Sequence, residues 1–177
     1  PDELLWYRRR FSLPADFRRD RVLLHFGAVD QDCRVWVNGR EVGSHRGGYL
    51  PFAIDITDAL ETDSNELIVR VRDVTDQSWR SRGKQALKPG GIWYTPQSGI
   101  WQTVWLESVP RDWIEQLVLT PDLETGEVEV TVRSASTLNT DVTISADGTE
   151  VARAHVPANQ PTRLKIDGAV RTWSPED

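Results

Sequence analysis

The chain has 177 residues, of which 38% are hydrophobic and 27% charged, with a net charge of −6 and a pI near 5.1. These values are ordinary for a globular protein of one or two domains. The arginines are scattered and matched by carboxylates, which argues against nucleic acid as a partner. No stretch approaches the roughly 20 apolar residues that span a bilayer, so we expect no membrane partner.

The ends of the chain and its one cysteine carry little information on location. Cys33 is alone, which excludes an intrachain disulfide and is neutral about compartment. No basic-then-apolar leader is present, so we expect a cytoplasmic protein. Methionine is absent even at position 1, and we therefore expect that the N-terminus was cut. The missing leader then says little about secretion.

Strand signals dominate the first hundred residues. Residues 22–29 form a mostly apolar run, and residues 33–37 alternate before Asn38-Gly39, which predicts a tight hairpin because both turn residues tolerate positive φ. Further elements are predicted over 53–56 (strand), 57–60 (one helical turn capped by Thr57 or Asp58) and 65–73 (strand).

The most informative segment is GIWYTPQSGIWQTVWLE at 91–107. From Ile100 it alternates, with Ile100, Val104 and Leu106 on one face. Trp101 and Trp105 lie on the other. Bulky residues on both faces predict a strand inside a sandwich. The aromatic loop before it, held by Gly and Pro, has a composition suited to a binding rim.

A domain boundary is predicted near residues 109–112, where the aromatic content falls. Short strands are then indicated over 128–132, 142–146, 150–154 and 163–166, with a second hairpin turn at Asp147-Gly148. About five strands over 111–177 predict an incomplete immunoglobulin-like sandwich, since the complete fold has about seven. No segment shows sustained helical periodicity, so the fold class is all-β.

Motifs for catalysis, metals or cofactors are not recognisable. His25, His45 and His155 are the only histidines, and none pairs with a cysteine or second histidine at metal-ligand spacing. We therefore expect no metal site and no cofactor, and a hydrogen-bonded structural role for His25. Asn65-Glu66 resembles a glycosidase acid/base signature, but it begins a strand after a polar turn, which favours a structural role.

Residues 73–88 form a long polar loop, a feature that is often functional in a compact domain. Aromatic rings stack on the C–H faces of sugars, and neighbouring polar groups bond hydroxyls. The candidate sugar-binding residues are Asp76, Trp79, Arg82, Lys84, Gln85 and Trp93, with Arg80 and Tyr94 nearby. The alternative is that Trp79 and Trp93 only pack against a neighbouring domain.

Five segments resemble glycoside hydrolase family 2, in the order that the family uses. They are LWYRRRFSLP at 5–14, VWVNGREVGSHRGGYLPFAIDIT at 35–57, NELIVRVRD at 65–73, RGKQ at 82–85 and SGIWQTVWLE at 98–107. The resemblance covers nearly all of residues 4–109. WSPED at 173–177 is similar to a motif late in the family's second domain.

The resemblance implies a jelly-roll sugar-binding domain over residues 1–110 and an immunoglobulin-like sandwich over 111–177. In the family an α/β barrel carrying both catalytic glutamates follows, and a barrel of about 250 residues with βα alternation is missing from this sequence. We therefore expect no catalytic residue here. In family β-galactosidases a loop aspartate reaches the sugar pocket, and Asp76 is the best match, with Asp73 competing.

Three functions remain open. The first is the N-terminal part of a β-galactosidase-type or β-glucuronidase-type enzyme, with the missing barrel and a carbohydrate as partners. The second is a freestanding carbohydrate-binding module, and the third is an adhesion or scaffold protein. We also expect an apolar face with partly exposed Trp93, Trp101 and Trp113, through which the chain could form a homo-oligomer.

Overall fold

A computed structural model describes residues 4–168 and 172–175 of the chain. The last two residues of WSPED lie outside this part. The contacts divide the chain into two compact units, residues 1–110 and 111–177. Apart from one 3₁₀ turn, the elements of the described residues are all β-strands, so the prediction of an all-β protein is confirmed.

The first unit is built from two main antiparallel sheets. Its strands are β1 (Leu4–Phe11), β2 (Arg21–Phe26), β3 (Val29–Asp30), β4 (Asp32–Val37), β5 (Arg40–Arg46), β6 (Phe52–Asp55), β7 (Asn65–Arg72), β8 (Gly99–Ile100) and β9 (Val104–Val109), with a 3₁₀ turn at Thr57–Ala59. One sheet has the order β1-β7-β4-β5 and the other β6-β2-β9, while β3 pairs with β8.

The core of this unit follows from the alternation along its strands. Val35 and Val37 of β4 and Val69 and Val71 of β7 are buried, while the residues between them point to the other side of the sheet. They form one cluster with Val22, Leu24 and Phe26 of β2. The predicted hairpin turn is present, with φ of 50° at Asn38 and 79° at Gly39.

The strand predicted from Ile100 to Glu107 is wrong in two respects. It is interrupted at residues 101–103, between β8 and β9. Trp105 is also 44% exposed, so only one face of β9 is in the core. The Trp105 ring stacks on His25 at 4.8 Å on the outer side of the sheet, and the His25 imidazole is hydrogen-bonded to Glu107 at 2.9 Å. The structural role of His25 is confirmed, although its side chain is outside the core.

The second unit has five strands in its described part. They are β10 (Gln116–Asp122), β11 (Glu127–Arg133), β12 (Asn139–Ala146), β13 (Thr149–Pro157) and β14 (Thr162–Lys165). They form a sheet of order β10-β11-β14 and a hairpin β12-β13, turning at Asp147-Gly148 as predicted. Val130, Val132, Ala152, Val156 and Leu164 make its core. Strand β10 was not predicted, and the immunoglobulin-like assignment stays a prediction.

Within residues 4–168 and 172–175, no helix has the length and apolarity needed to cross a bilayer.

Candidate functional site

The long loop between β7 and β8, residues 73–98, is tied at its base. The Asp73 carboxylate accepts hydrogen bonds from the Thr75 backbone N–H at 2.7 Å and from the Ser98 hydroxyl at 2.6 Å. Because Ser98 precedes β8, the second bond joins the two ends of the loop. The Asp73 side chain thereby holds the two ends of the loop together, and both of its carboxylate oxygens accept hydrogen bonds.

Asp76 is also bonded inside this loop. Its carboxylate accepts a hydrogen bond from the Leu87 backbone N–H at 3.1 Å, and its carbonyl oxygen accepts one from the Arg82 guanidinium at 3.1 Å. These contacts bridge the first and second halves of the loop. The predicted substrate aspartate is therefore half-buried and holds the loop in shape.

Arg82 and Trp93, two of the predicted sugar-binding residues, lie together. The guanidinium carbon of Arg82 is 5.5 Å from the centre of the Trp93 ring, within the range of a cation–π contact. The backbone of Tyr94 pairs with Lys84 and Ala86 at 2.7 and 3.1 Å. Trp93 remains 40% exposed, so its ring is accessible beside a positive charge.

Trp79 is not part of this group. It is 96% exposed and lines a separate depression of about 570 Å³ with Tyr49 and Arg80. Arg80 bonds Asp32 at 2.7 Å and the Gln31 side chain at 2.9 Å, so it anchors this end of the loop to β4. Lys84 is exposed, and its side chain makes no hydrogen bond or ion pair with the other predicted site residues, all of which lie in the described part of the chain.

A polar and aromatic cleft of about 240 Å³ lies beside Gln85. It is lined by Asp30, Tyr49, Gln85, Gln97, Ser98 and Trp101. The Trp101 indole N–H donates to the Gly48 carbonyl oxygen at 2.7 Å, and its ring meets Tyr49 edge to face at 6.1 Å. The Gln85 side-chain oxygen accepts a hydrogen bond from the Gln97 backbone N–H. Only Gln85 of these six was predicted as a site residue.

Asp30 is the charged group of the cleft. It is 7% exposed, and burial, followed by the nearby Asp73 carboxylate, raises its pKa to about 6, while a hydrogen bond from Gln85 opposes the shift. The backbone of Gly48 packs directly against it: a Cβ on Gly48 would lie 2.5 Å from the Asp30 Oδ1. The absence of a side chain on Gly48 therefore permits this close approach.

The cleft has the chemistry of a site for neutral polar ligands. Two aromatic rings offer faces for C–H groups, and a carboxyl, two amides and a hydroxyl offer hydrogen bonds to hydroxyls. Within residues 4–168 and 172–175, no group of three or more His, Cys, Asp or Glu side chains is arranged to hold a metal ion.

Known proteins resemble the chain in both sequence and fold. Residues 2–110 match the family model described as glycosyl hydrolases family 2, sugar binding domain. A putative beta-glucuronidase of Formosa agariphila is 29% identical over 126 residues, which cover 71% of this chain and 14% of the relative. A beta-galactosidase of Thermoanaerobacter pseudethanolicus is 31% identical over 130 residues, covering 72% and 17%.

Solved structures share the fold. A beta-glucuronidase of Faecalibacterium prausnitzii superimposes with a TM-score of 0.74 at 24% identity, covering 97% of this chain and 33% of that one. A β-glucuronidase of Ruminococcus gnavus in complex with D-glucuronic acid gives 0.74 at 22% identity, covering 94% and 31%. The chain thus spans about a third or less of these proteins. By the match over residues 2–110, it belongs to glycosyl hydrolase family 2 and contains the family's sugar-binding domain.

Proposed function

We propose that the chain is the non-catalytic N-terminal part of an enzyme that hydrolyses O-glycosidic bonds, of β-galactosidase or β-glucuronidase type. The observation that carries this proposal is the family match over residues 2–110 in a chain that spans 14–17% of two glycosidase relatives. Retaining glycosidases need two carboxyl groups about 5–5.5 Å apart, and we assign that pair to a barrel elsewhere on a longer polypeptide. Residues 4–109 then support the barrel.

The second part of the proposal is that the loop and the cleft form one wall of the sugar pocket. The loop is held by Asp73 and Asp76, which fixes the positions of its exposed aromatic rings. Trp93 presents a ring face beside the Arg82 charge, and Gln85 connects the loop to the Asp30 cleft. Fixed rings with adjacent donors and acceptors suit the recognition of a sugar.

The test is the kinetics of the longer enzyme carrying Asp76→Asn or Trp93→Ala. Asp76→Asn keeps an oxygen for the Leu87 N–H but removes the charge, so the loop is expected to stay in place. We expect a three- to tenfold loss of kcat/KM on a nitrophenyl glycoside for each variant. Asp63→Asn, in an exposed turn, is the control. If kcat/KM of both loop variants equals that of the wild type, the loop does not contact substrate.

An autonomous carbohydrate-binding module is the second candidate, and the cleft favours it. All six lining residues lie between Asp30 and Trp101, so the cleft is complete within the first unit. Titration calorimetry of this chain with simple β-glycosides separates the two functions. Binding that Trp101→Ala abolishes supports the module, and absence of binding supports a wall that acts only with a barrel.

A further inference from the structure

The outer face of the β1-β7-β4-β5 sheet carries a concentration of arginines. Since Cys33, Val35 and Val37 of β4 are buried, alternation places Asp32 and Arg34 on the opposite face. A depression of about 540 Å³ lies there. Its lining includes one carboxylate, that of Asp32, and the four guanidinium groups of Arg34, Arg46, Arg70 and Arg72. Four guanidinium groups thus meet one carboxylate in a protein whose net charge is −6.

The register of the strands brings like charges into direct opposition. Arg34 of β4 lies opposite Arg70 of β7, and on its other side opposite Ser44 of β5. Side chains directly opposite in antiparallel strands have Cβ atoms about 4.5–5.5 Å apart, and like charges at this distance destabilise the sheet. The placement of Arg34 opposite Arg70 therefore does not stabilise the sheet.

The carboxylates nearby leave part of this charge uncompensated. The Asp32 carboxylate is shared by Arg46 at 3.2 Å and Arg80 at 2.7 Å, and Glu41 lies 3.7 Å from Arg34.

The Arg70 Nε is buried and has no hydrogen-bond partner within the described part of the chain. A buried charged donor without a partner is costly. An oxyanion in the depression would contact the guanidinium groups of Arg34 and Arg70 that line it, rather than the enclosed Nε atom. Arg72 has a contact of its own, so the unpaired guanidinium group on this face is that of Arg70.

An aromatic surface lies next to the arginines. Trp6 of β1 is opposite Arg70, is 61% exposed, and stacks on Trp36 with ring centres 5.9 Å apart. An exposed ring face beside a cluster of guanidinium groups suits a ligand that joins a flat apolar face to an anionic group. A sugar ring that carries a carboxylate or a sulfate has both features.

We propose that this outer face binds an acidic saccharide, with the carboxylate or sulfate on Arg34 and Arg70 and the sugar ring on Trp6. The choice of a saccharide rests on the proposed function, whereas the oxyanion site rests only on this sheet. The site is separate from the cleft, which is lined by other residues. Nucleic acid combines rings with phosphate as well, but the acidic balance of the chain disfavours it.

The test is titration calorimetry of this chain with four probes at one ionic strength. They are a sulfated hexasaccharide, an oligogalacturonate of six residues, neutral maltohexaose and a 12-nucleotide single-stranded DNA. We expect binding of at least one acidic saccharide, weakening as salt rises, and none of maltohexaose. The tighter of the two acidic probes identifies the anionic group.

Arg70→Gln and Arg34→Gln are each expected to weaken this binding at least tenfold. The matched control is Arg10→Gln, on the same face but beside Glu66 at 3.7 Å, and it is expected to change the affinity less than twofold. Arg70→Gln is also expected to raise the Tm, because it relieves the repulsion from Arg34. A residue with a purely structural role would lower the Tm instead.

Three results would overturn the inference: equal losses in Arg10→Gln and Arg70→Gln, absence of binding of both acidic saccharides, or tighter binding of the DNA. Failure of the proposed function is distinguishable from these. If the longer protein hydrolyses no glycoside but the acidic probe still binds in an Arg70-dependent way, the oxyanion site stands and the enzymatic assignment falls. Trp101→Ala, in the cleft, is expected to leave the acidic probe bound.

Discussion

The side-chain N–H of Asn38 donates a 2.8 Å hydrogen bond to the side-chain oxygen of Asn65, which is 1% exposed. The same Asn65 oxygen accepts from the Glu61 backbone N–H at 2.8 Å, and Asn38 donates also to the Ala59 carbonyl oxygen. The pair therefore ties the β4-β5 hairpin turn to the start of β7. This confirms the structural role expected for Asn65 in the Asn65-Glu66 sequence.

Asn65→Ala is expected to lower the free energy of unfolding of the first unit by about 2–4 kcal/mol. The substitution leaves the Asn38 side-chain N–H and the Glu61 N–H without their acceptor inside the protein, and each unsatisfied buried donor costs about 1–3 kcal/mol. Urea denaturation followed by tryptophan fluorescence measures this. The control is Asn139→Ala, at an exposed position, with an expected change below about 0.5 kcal/mol. A loss below 1 kcal/mol for Asn65→Ala would contradict the assigned role.

Asp30 is expected to make the stability depend on pH. Its pKa is about 6 in the folded protein, above the ordinary value of 3.8, so between these values the folded state binds more protons than the unfolded state. The stability contributed by this group is therefore present at low pH and falls as pH rises from about 4 to 6. The free energy of unfolding of Asp30→Asn, relative to that of wild type, should therefore rise by about 2–3 kcal/mol between pH 4 and pH 7.

The comparison uses the difference in unfolding free energy between wild type and Asp30→Asn. The other carboxylates titrate in both proteins, so their contribution cancels in this difference. Asp63→Asn, in an exposed turn, is the control and is expected to differ from wild type by a constant amount over the same range. A flat difference between Asp30→Asn and wild type from pH 4 to 7 would show that Asp30 is not perturbed.

Val130 and Leu119 test the core of the second unit. They lie directly opposite each other in the β10-β11 pair, yet Val130 is fully buried and Leu119 is 59% exposed. Val130→Ala is expected to cost about 2–3 kcal/mol of unfolding free energy because it leaves a cavity, whereas Leu119→Ala is expected to cost less than about 1 kcal/mol. Thermal denaturation of both variants measures this. Similar losses would mean that Leu119 is covered in solution.

Self-association is expected through the exposed aromatic loop. Trp93, Trp101 and Trp113 are all at least partly exposed, as predicted, and Ile92 and Tyr94 add apolar surface next to Trp93. Exposed apolar patches promote association. Sedimentation equilibrium at several concentrations should detect a weak dimer that Trp93→Ser loosens and Trp79→Ser, isolated from this group, does not. A monomer at all concentrations contradicts this expectation.

The two hairpin turns were predicted correctly because short residue pairs specify them. Asn38-Gly39 and Asp147-Gly148 specify their turns through residues that accept positive φ, and both hairpins are present. The strand around Trp101 was misjudged because alternation cannot reveal that this ring leaves the strand and bonds the Gly48 carbonyl oxygen. Strand β10 was missed because its Leu117-Val118-Leu119 run does not alternate and Pro121 reads as a strand breaker.

The site was harder to predict than the fold. The loop residues from Asp76 to Trp93 are contiguous and could be found by composition. The cleft instead combines Asp30, Tyr49, Gln85 and Trp101, from four separate segments. No local pattern marks Asp30 as buried, because its environment is created by the packing of Gly48 and the long loop against it. Residues of this kind can be recognised as a site only from the three-dimensional arrangement of the strands and the loop.

Hydrolysis of nitrophenyl β-D-glucuronide and β-D-galactoside by the purified chain tests the central claim most directly. If the proposed function is correct, residues 1–177 release no nitrophenol above the buffer rate, and hydrolysis of at least one substrate is expected only from a longer polypeptide that contains them. The proposal would be contradicted by turnover that co-purifies with the chain alone and is lost in the Asp30→Asn or Asp76→Asn variant.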